Sequence, residues 1–353
     1  MMTADRSVRS GNLRRAGVIV ALCVGLVVGC AGQGDSEVTQ PWFGGYVNVT
    51  STPRYEFEAQ DASGAGRPVL SFVVADPDDS CAPSWGGSSG LQEAGANGLD
   101  AAVQALYEQG GAAAVAFGGQ SGTELATACE DSQALSGAYG AVVERYGVDT
   151  IDFDVEADDL GNRAANARRA EAVARLQQQR PEDDPLQVWV TVPVGPQGLA
   201  EDAQDVVAQM LGAGVELAGV NLMTMNYGDG KDSDQTLYEV ATTSSRAAQA
   251  QVRELYGQAG QSLSEEQAWQ HIGLTPMIGR NDVEGEVFTL EDARRLNLFA
   301  REQGIGRLSF WSLNRDQPCT EDEPGAPWVS ALCSGLDQDT GAFARVLGEG
   351  FSQ

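Results

Sequence analysis

Asp149-Thr150-Ile151-Asp152-Phe153-Asp154-Val155-Glu156 decides how this chain is read. Ile, Phe and Val alternate with acids, and alternate side chains of a strand share a face. Ile151, Phe153 and Val155 therefore point one way, and Asp152, Asp154 and Glu156 the other. Successive acids lie ~6.6 Å apart at a rise of ~3.3 Å per residue. On a solvated edge strand such a row would simply face water. Parallel strands, however, are buried on both faces, and buried carboxylates repel one another and lose hydration. A row kept there implies protons held on carboxyls. Glu156, nearest the strand's C-terminal end, is the expected proton donor.

Outward from this stretch, short apolar runs alternate with helical patterns. Strands are expected at 46–49, 69–75, 113–117, 150–155, 187–192, 219–225, 272–277 and 307–311. Helices are expected at 99–108, 135–146, 164–179, 203–211, 238–256 and 290–303. Strands alternating with helices imply a parallel sheet. Eight strands in one chain of 353 residues suggest an α/β fold of the closed (β/α)8 barrel type. Residues 51–67 show no clear helix, which leaves an open doubly wound sheet as the alternative. No glycine-rich phosphate loop follows the first strand.

The formal charge is −28, which repels nucleic acid and anionic headgroups and suits a neutral substrate. One histidine, His271, leaves little room for His-based metal sites and is expected to be structural. Asp229, Asp232 and Asp234 lack the spacing of a calcium loop and read as a solvated turn. No metal or cofactor is expected, and a monomer is.

Arg14 and Arg15 precede an apolar run, Ala16 to Val28, too short to cross the ~30 Å of bilayer hydrocarbon but suited to a signal-peptide core. Leu26-Val27-Val28-Gly29-Cys30 resembles the lipobox of bacterial lipoproteins. That resemblance implies cleavage before Cys30, a lipid on its sulfur, and a protein exported to the outer face of a bacterial cell membrane or secreted. The organisation expected is a signal peptide at 1–29, a small, polar tether at 30–41 and a catalytic barrel at 42–353. Cys81, Cys129, Cys319 and Cys333 then remain and admit three pairings. Neighbours are expected to pair, Cys81 with Cys129 and Cys319 with Cys333.

Asp-x-x-Asp-x-Asp-x-Glu on a barrel strand resembles the signature of family 18 glycoside hydrolases, the chitinases and endo-β-N-acetylglucosaminidases. Thr150 stands where the family usually has glycine. Ala116-Phe117-Gly118-Gly119 resembles the family's Ser-x-Gly-Gly element, and Met223-Thr224-Met225-Asn226-Tyr227-Gly228 its Met-x-Tyr-Asp region. Ser309-Phe310-Trp311-Ser312 resembles the eighth-strand tryptophan segment. With Thr275 to Asp282, these look like the branch typified by archaeal and actinobacterial chitinases, over roughly residues 44–335.

The resemblance implies hydrolysis of β-1,4-linked N-acetylglucosamine in chitin or its oligomers by substrate-assisted, retaining catalysis. Glu156 would be the acid, Asp154 would hold the acetamido N–H, and Asp152 would share a proton with Asp154. Tyr227 would orient the acetamido carbonyl and Trp311 would floor a sugar ring. Asp282, Met225 and Asn226 would contact sugar, with Asn226 standing where the family often has Asp. Gly118 and Gly119 would let backbone approach the ligand. Trp189 is expected in the core, whereas Trp42, Trp85 and Trp328 are open between cleft and packing. Two rivals remain: an endo-β-N-acetylglucosaminidase, and a non-catalytic sugar-binding lipoprotein. Glu156, the residue inactive relatives usually lose, argues against the second.

Overall fold

The computed structural model describes residues 40–59, 66–320 and 329–351, which fall in one compact unit. The signal peptide, Cys30, most of the tether and Trp328 lie outside the described residues.

Eight parallel strands form the barrel: β1 (Trp42–Asn48), β2 (Val69–Ala75), β3 (Ala114–Gly118), β4 (Thr150–Asp154), β5 (Gln187–Pro193), β6 (Leu217–Met223), β7 (Ile272–Thr275) and β8 (Arg307–Phe310). Each pairs with the next, and β8 pairs with β1 through Trp42↔Arg307 to Gly45↔Phe310. The ring is closed, so the open-sheet alternative is excluded.

Six long helices clothe it: α1 (Leu99–Glu108), α2 (Ser132–Tyr146), α3 (Arg163–Gln178), α4 (Glu201–Gly212), α5 (Leu237–Gln258) and α6 (Leu290–Gln303). Their ends follow local chemistry. Thr236 with Glu239, and Thr289 with Asp292, form capping boxes that satisfy the first free N–H groups of α5 and α6. Gly147 and Gly304 close α2 and α6 in the left-handed conformation. The crossover from β1 to β2 holds only the 3-10 turn Phe57–Ala59 among the described residues. Residues 81–90 add a short antiparallel hairpin, Pro83–Trp85 with Ser89–Gly90, beside β2.

Observed strand β6 begins and ends two residues earlier than its pattern suggested. A break in the β5–β6 register between Val188 and Trp189 takes up Ala218, a shift set by the neighbouring strand and invisible in one strand's alternation.

The molecule has two interiors. Between sheet and helices lies the large apolar core, where Phe153 stacks on Phe117 at 5.3 Å and meets Tyr139 edge-on at 5.0 Å. Inside the barrel the filling is mostly polar: Tyr46, Asp152, Thr191, Asn221, Thr275, Arg307 and Ser309, all buried. Trp42 and Trp189 close the base, 6.2 Å apart. Trp85 is buried, and its indole N–H donates to the Tyr146 hydroxyl at 2.9 Å. Disulfides join Cys81 to Cys129 and Cys319 to Cys333.

Candidate active site

The alternation read from 149–156 holds in three dimensions. Ile151, Phe153 and Val155 belong to the outer core, while Asp152, Asp154 and Glu156 rise in turn through the barrel interior. Glu156 stands just past the end of β4, at the C-terminal mouth, where barrel enzymes place their chemistry. The turn behind it is strained. Ala157 has φ 51° and ψ −130°, a region nearly confined to glycine that costs about 1–3 kcal/mol. Neighbouring bonds hold it: Asp159 N–H donates to Glu156 O at 3.1 Å, and Thr127 donates to the Asp159 carboxylate at 2.6 Å.

A cavity of about 610 Å³ opens above the row, within the range of ligand sites. Asp154, Glu156, Met225, Asn226, Asp282 and Trp311 all line it. Trp311 stacks on Phe72 at 5.6 Å and 17°, presenting apolar aromatic surface beside the acids. Sugars pack their axial hydrogens on such surface, while their hydroxyls seek polar partners.

The acids differ sharply in environment. Asp152 is fully buried. Its Oδ1 accepts the Thr191 hydroxyl at 2.7 Å, and its Oδ2 accepts the Tyr46 hydroxyl and an Arg307 N–H, the latter at 3.2 Å. Asp154 is 6% exposed, and its Oδ1 finds no hydrogen-bond partner among the described residues. Burial, then Glu156, then Asp152 push its pKa well above the carboxylate range, against a smaller pull from Arg307. Burial, then the Asp282 and Asp159 charges, raise Glu156 as well. A carboxyl kept protonated beside a cavity is what a general acid requires.

Asn226 and Asp282 clasp one another across the mouth. Asn226 Nδ2 donates to Asp282 Oδ2 at 3.0 Å, and Asp282 N–H donates to Asn226 Oδ1 at 2.9 Å. Asn226 has φ 54°, a left-handed conformation that asparagine tolerates better than most residues. The reversal there corrects the expectation for Tyr227. Its side chain turns back into the helix layer, 9% exposed, and its hydroxyl pairs with Ser244 of α5 at 2.9 Å. It does not line the cavity.

Two further expectations change. Gly118 and Gly119 sit behind the wall and do not line it. A Cβ on Gly118, at φ 89°, would stand 2.2 Å from Asp154 O, and one on Gly119 2.7 Å from the Phe72 ring. Gly118 lets β3 approach β4 and Gly119 lets it approach Phe72 of β2, and Gly119 N–H donates to Asp154 O at 3.0 Å. Nor does Asp152 hydrogen-bond Asp154 among the described residues; its oxygens meet Thr191, Tyr46 and Arg307 instead.

His271 is structural, with Nδ1 on Ala218 O at 2.9 Å and its pKa lowered by burial. Among the described residues, no cluster of three His, Cys, Asp or Glu side chains could hold a metal ion.

Sequence reasoning missed Tyr46 and Arg307 as parts of the site. The alternation argument used on β4 would have found both. In Arg307-Leu308-Ser309-Phe310, Leu and Phe belong to the outer core, so Arg307 and Ser309 must enter the barrel.

A closed parallel barrel carrying an acidic row up to a carboxyl of raised pKa and an aromatic wall defines a barrel glycoside hydrolase. No protein-family model matches the chain. The chain is 33% identical over 257 residues to a probable bifunctional chitinase/lysozyme of Escherichia coli, covering 71% of this chain and 28% of the relative. It is 32% identical over 258 residues to endochitinase 11 of Metarhizium anisopliae, covering 71% and 47%. It thus spans less than half the length of these curated relatives. The crystal structure of the catalytic domain of a Pyrococcus furiosus hyperthermophilic chitinase superposes with a TM-score of 0.75 at 29% identity, covering 90% of this chain and 98% of that one. The chain belongs to family 18 of the glycoside hydrolases, the chitinase family.

Proposed function

We propose that this protein hydrolyses β-1,4 bonds beside N-acetylglucosamine in chitin or its oligomers, with retention and with the substrate's acetamido oxygen as nucleophile. The observation that carries this reading is Asp154 Oδ1, buried at the end of β4 two residues before Glu156, beside the cavity and without a hydrogen-bond partner among the described residues. A buried orphan acceptor is costly, and an acetamido N–H would satisfy it. The chitinase names of the bacterial, fungal and archaeal relatives support the same substrate.

Glu156 gives its proton to the glycosidic oxygen as the C1–O bond breaks. The acetamido carbonyl oxygen bonds to C1 and forms an oxazolinium ion, while its N–H donates to Asp154. Trp311 lies under the ring. Water, losing a proton to the Glu156 carboxylate, then attacks C1 from the face the leaving group left, opposite the acetamido oxygen, whose bond to C1 breaks, so two inversions retain the configuration. Family 18 is a known exception to the paired-carboxylate scheme for retention. The test compares chitin oligomers with fully de-acetylated chitosan. Chitin oligomers should be cut and a thiazoline analogue should inhibit. Chitosan cleavage at a comparable rate, or inversion by NMR, would refute the acetamido nucleophile.

We further propose that residues 1–29 are removed and that a lipid on Cys30 tethers the barrel to the outer face of a cell membrane. The lipobox-like residues Leu26 to Cys30 support this. Cys30→Ser should lose partition into detergent; a mature N-terminus elsewhere, found by peptide mass, would refute it.

A further inference from the structure

We propose that Arg169, paired with Glu124 inside the helix layer, is a positioning residue for Glu156: the pair holds the strained turn that follows the acid and so fixes where the acid stands. Glu156 to Asp159 form that turn. Asp159 N–H donates to Glu156 O at 3.1 Å, and φ 51° with ψ −130° puts Ala157 at the first central position of a type II′ turn, which favours glycine. An alanine keeps such angles only where its surroundings over-determine them. Two sets of bonds do so here, and both lead to one ion pair. Arg169 of α3 is fully buried, Glu124 is 2% exposed, and Arg169 Nη2 lies 3.1 Å from Glu124 Oε2.

The first set runs through Asn166. Arg169 Nη1 donates to Asn166 Oδ1 at 2.7 Å, and Asn166 Nδ2 donates to Asp159 O at 3.2 Å and to Leu160 O at 2.9 Å. The amide can sit only this way round, because a guanidinium only donates and a backbone carbonyl only accepts. The second set runs through Thr127. Glu124 caps the short helix Leu125–Ala128, its Oε2 accepting the Thr127 N–H at 3.1 Å. The Thr127 hydroxyl in turn donates to the Asp159 carboxylate at 2.6 Å. Arg169 thus anchors the backbone of the turn, and Glu124 anchors its side chain. Freed from these bonds, Ala157 would relax towards negative φ and swing the peptide it shares with Glu156. A buried ion pair is weak evidence for stability, since desolvation offsets much of its attraction; its use here is to fix a geometry. The turn also carries the Asp159 charge, which after burial and Asp282 raises Glu156. Its shape therefore sets both the direction of the acid and part of its hold on the proton.

This inference rests on the proposed hydrolysis for its kinetic consequence, and a measurement without turnover stands beside it. In the full protein, Glu124→Gln with Arg169→Met removes both charges together. On N-acetylglucosamine oligomers kcat should fall tenfold or more with KM within threefold, since neither substitution touches the cavity wall. Adding Ala157→Gly, which adopts the turn without strain, should return kcat to within threefold of the parent. A smaller fall, a larger change in KM, or a loss that glycine does not restore overturns the proposal. Should the double variant fail to fold, Asn166→Ala, which cuts the link and leaves the ion pair, is read by the same criteria. Thermal melting supplies the second measurement, as a mutant cycle. Ala157→Gly should shift the melting temperature more favourably in the parent than in the background lacking the link, where the turn has already relaxed. Equal shifts, or a more favourable one in that background, overturn the proposal. A parent without turnover would refute the hydrolysis and leave the melting cycle to decide this inference.

Discussion

Glu156→Gln isolates the proton from the shape of the site. Glutamine keeps the side-chain volume beside the cavity but has no acidic proton. General acid catalysis contributes typically ~10²–10⁴ in rate, or about 2.7–5.4 kcal/mol at 1.36 kcal/mol per decade. The structure places the expected loss near ~10⁴, the upper end of that range, because no other carboxyl can take over. Asp154 sits one alternate position down the strand, ~6.6 Å along its axis, and Asp282 is clasped by Asn226 through two hydrogen bonds. Steady-state hydrolysis of chromogenic N-acetylglucosamine oligomers reads the loss, and calorimetry should show oligomer binding retained. The fold should also survive. Since the folded pKa of Glu156 is raised, its contribution to stability is full below the unfolded carboxylate value of ~4.3 and is lost as pH rises through the folded value. Above that point the variant, which carries no charge there, should melt at or above the parental temperature. Turnover within tenfold of the parent would refute the assignment of Glu156 as the acid.

Asp282→Asn removes the charge that, after burial, most raises Glu156. The alkaline limb of kcat/KM should therefore move to lower pH; a limb that stays in place would show that Glu156 does not feel Asp282. Tyr227→Phe loses only the bond to Ser244 and should cost about 1 kcal/mol of stability with kcat and KM near parental. A hundredfold fall in kcat would mean that the hydroxyl faces the substrate.

The barrel was legible because it rests on local rules. Each of the eight strands lay at or within a few residues of its apolar run, and the six long helices followed 3.6-residue periodicity, four of them starting at a capping side chain: Asp131, Asn162, Thr236 and Thr289. The acid row was legible for the same reason, since a period of two decides which side chains share a face. The disulfide partners followed from nearness in sequence.

The sequence by itself determined that Asp152, Asp154 and Glu156 enter one interior in order, and that the last stands at the mouth. Only the tertiary structure decided what each acid does there. Asp152 meets an arginine 155 positions away on the closing strand, a contact that exists only because β8 returns to β1. Asp154 keeps one carboxyl oxygen without a hydrogen-bond partner among the described residues. Tyr227 leaves the site through one left-handed residue, Asn226, that no periodicity announces. Periodicity fixes the direction of a side chain within an element, whereas charge state and pairing depend on what other elements bring within a few ångströms.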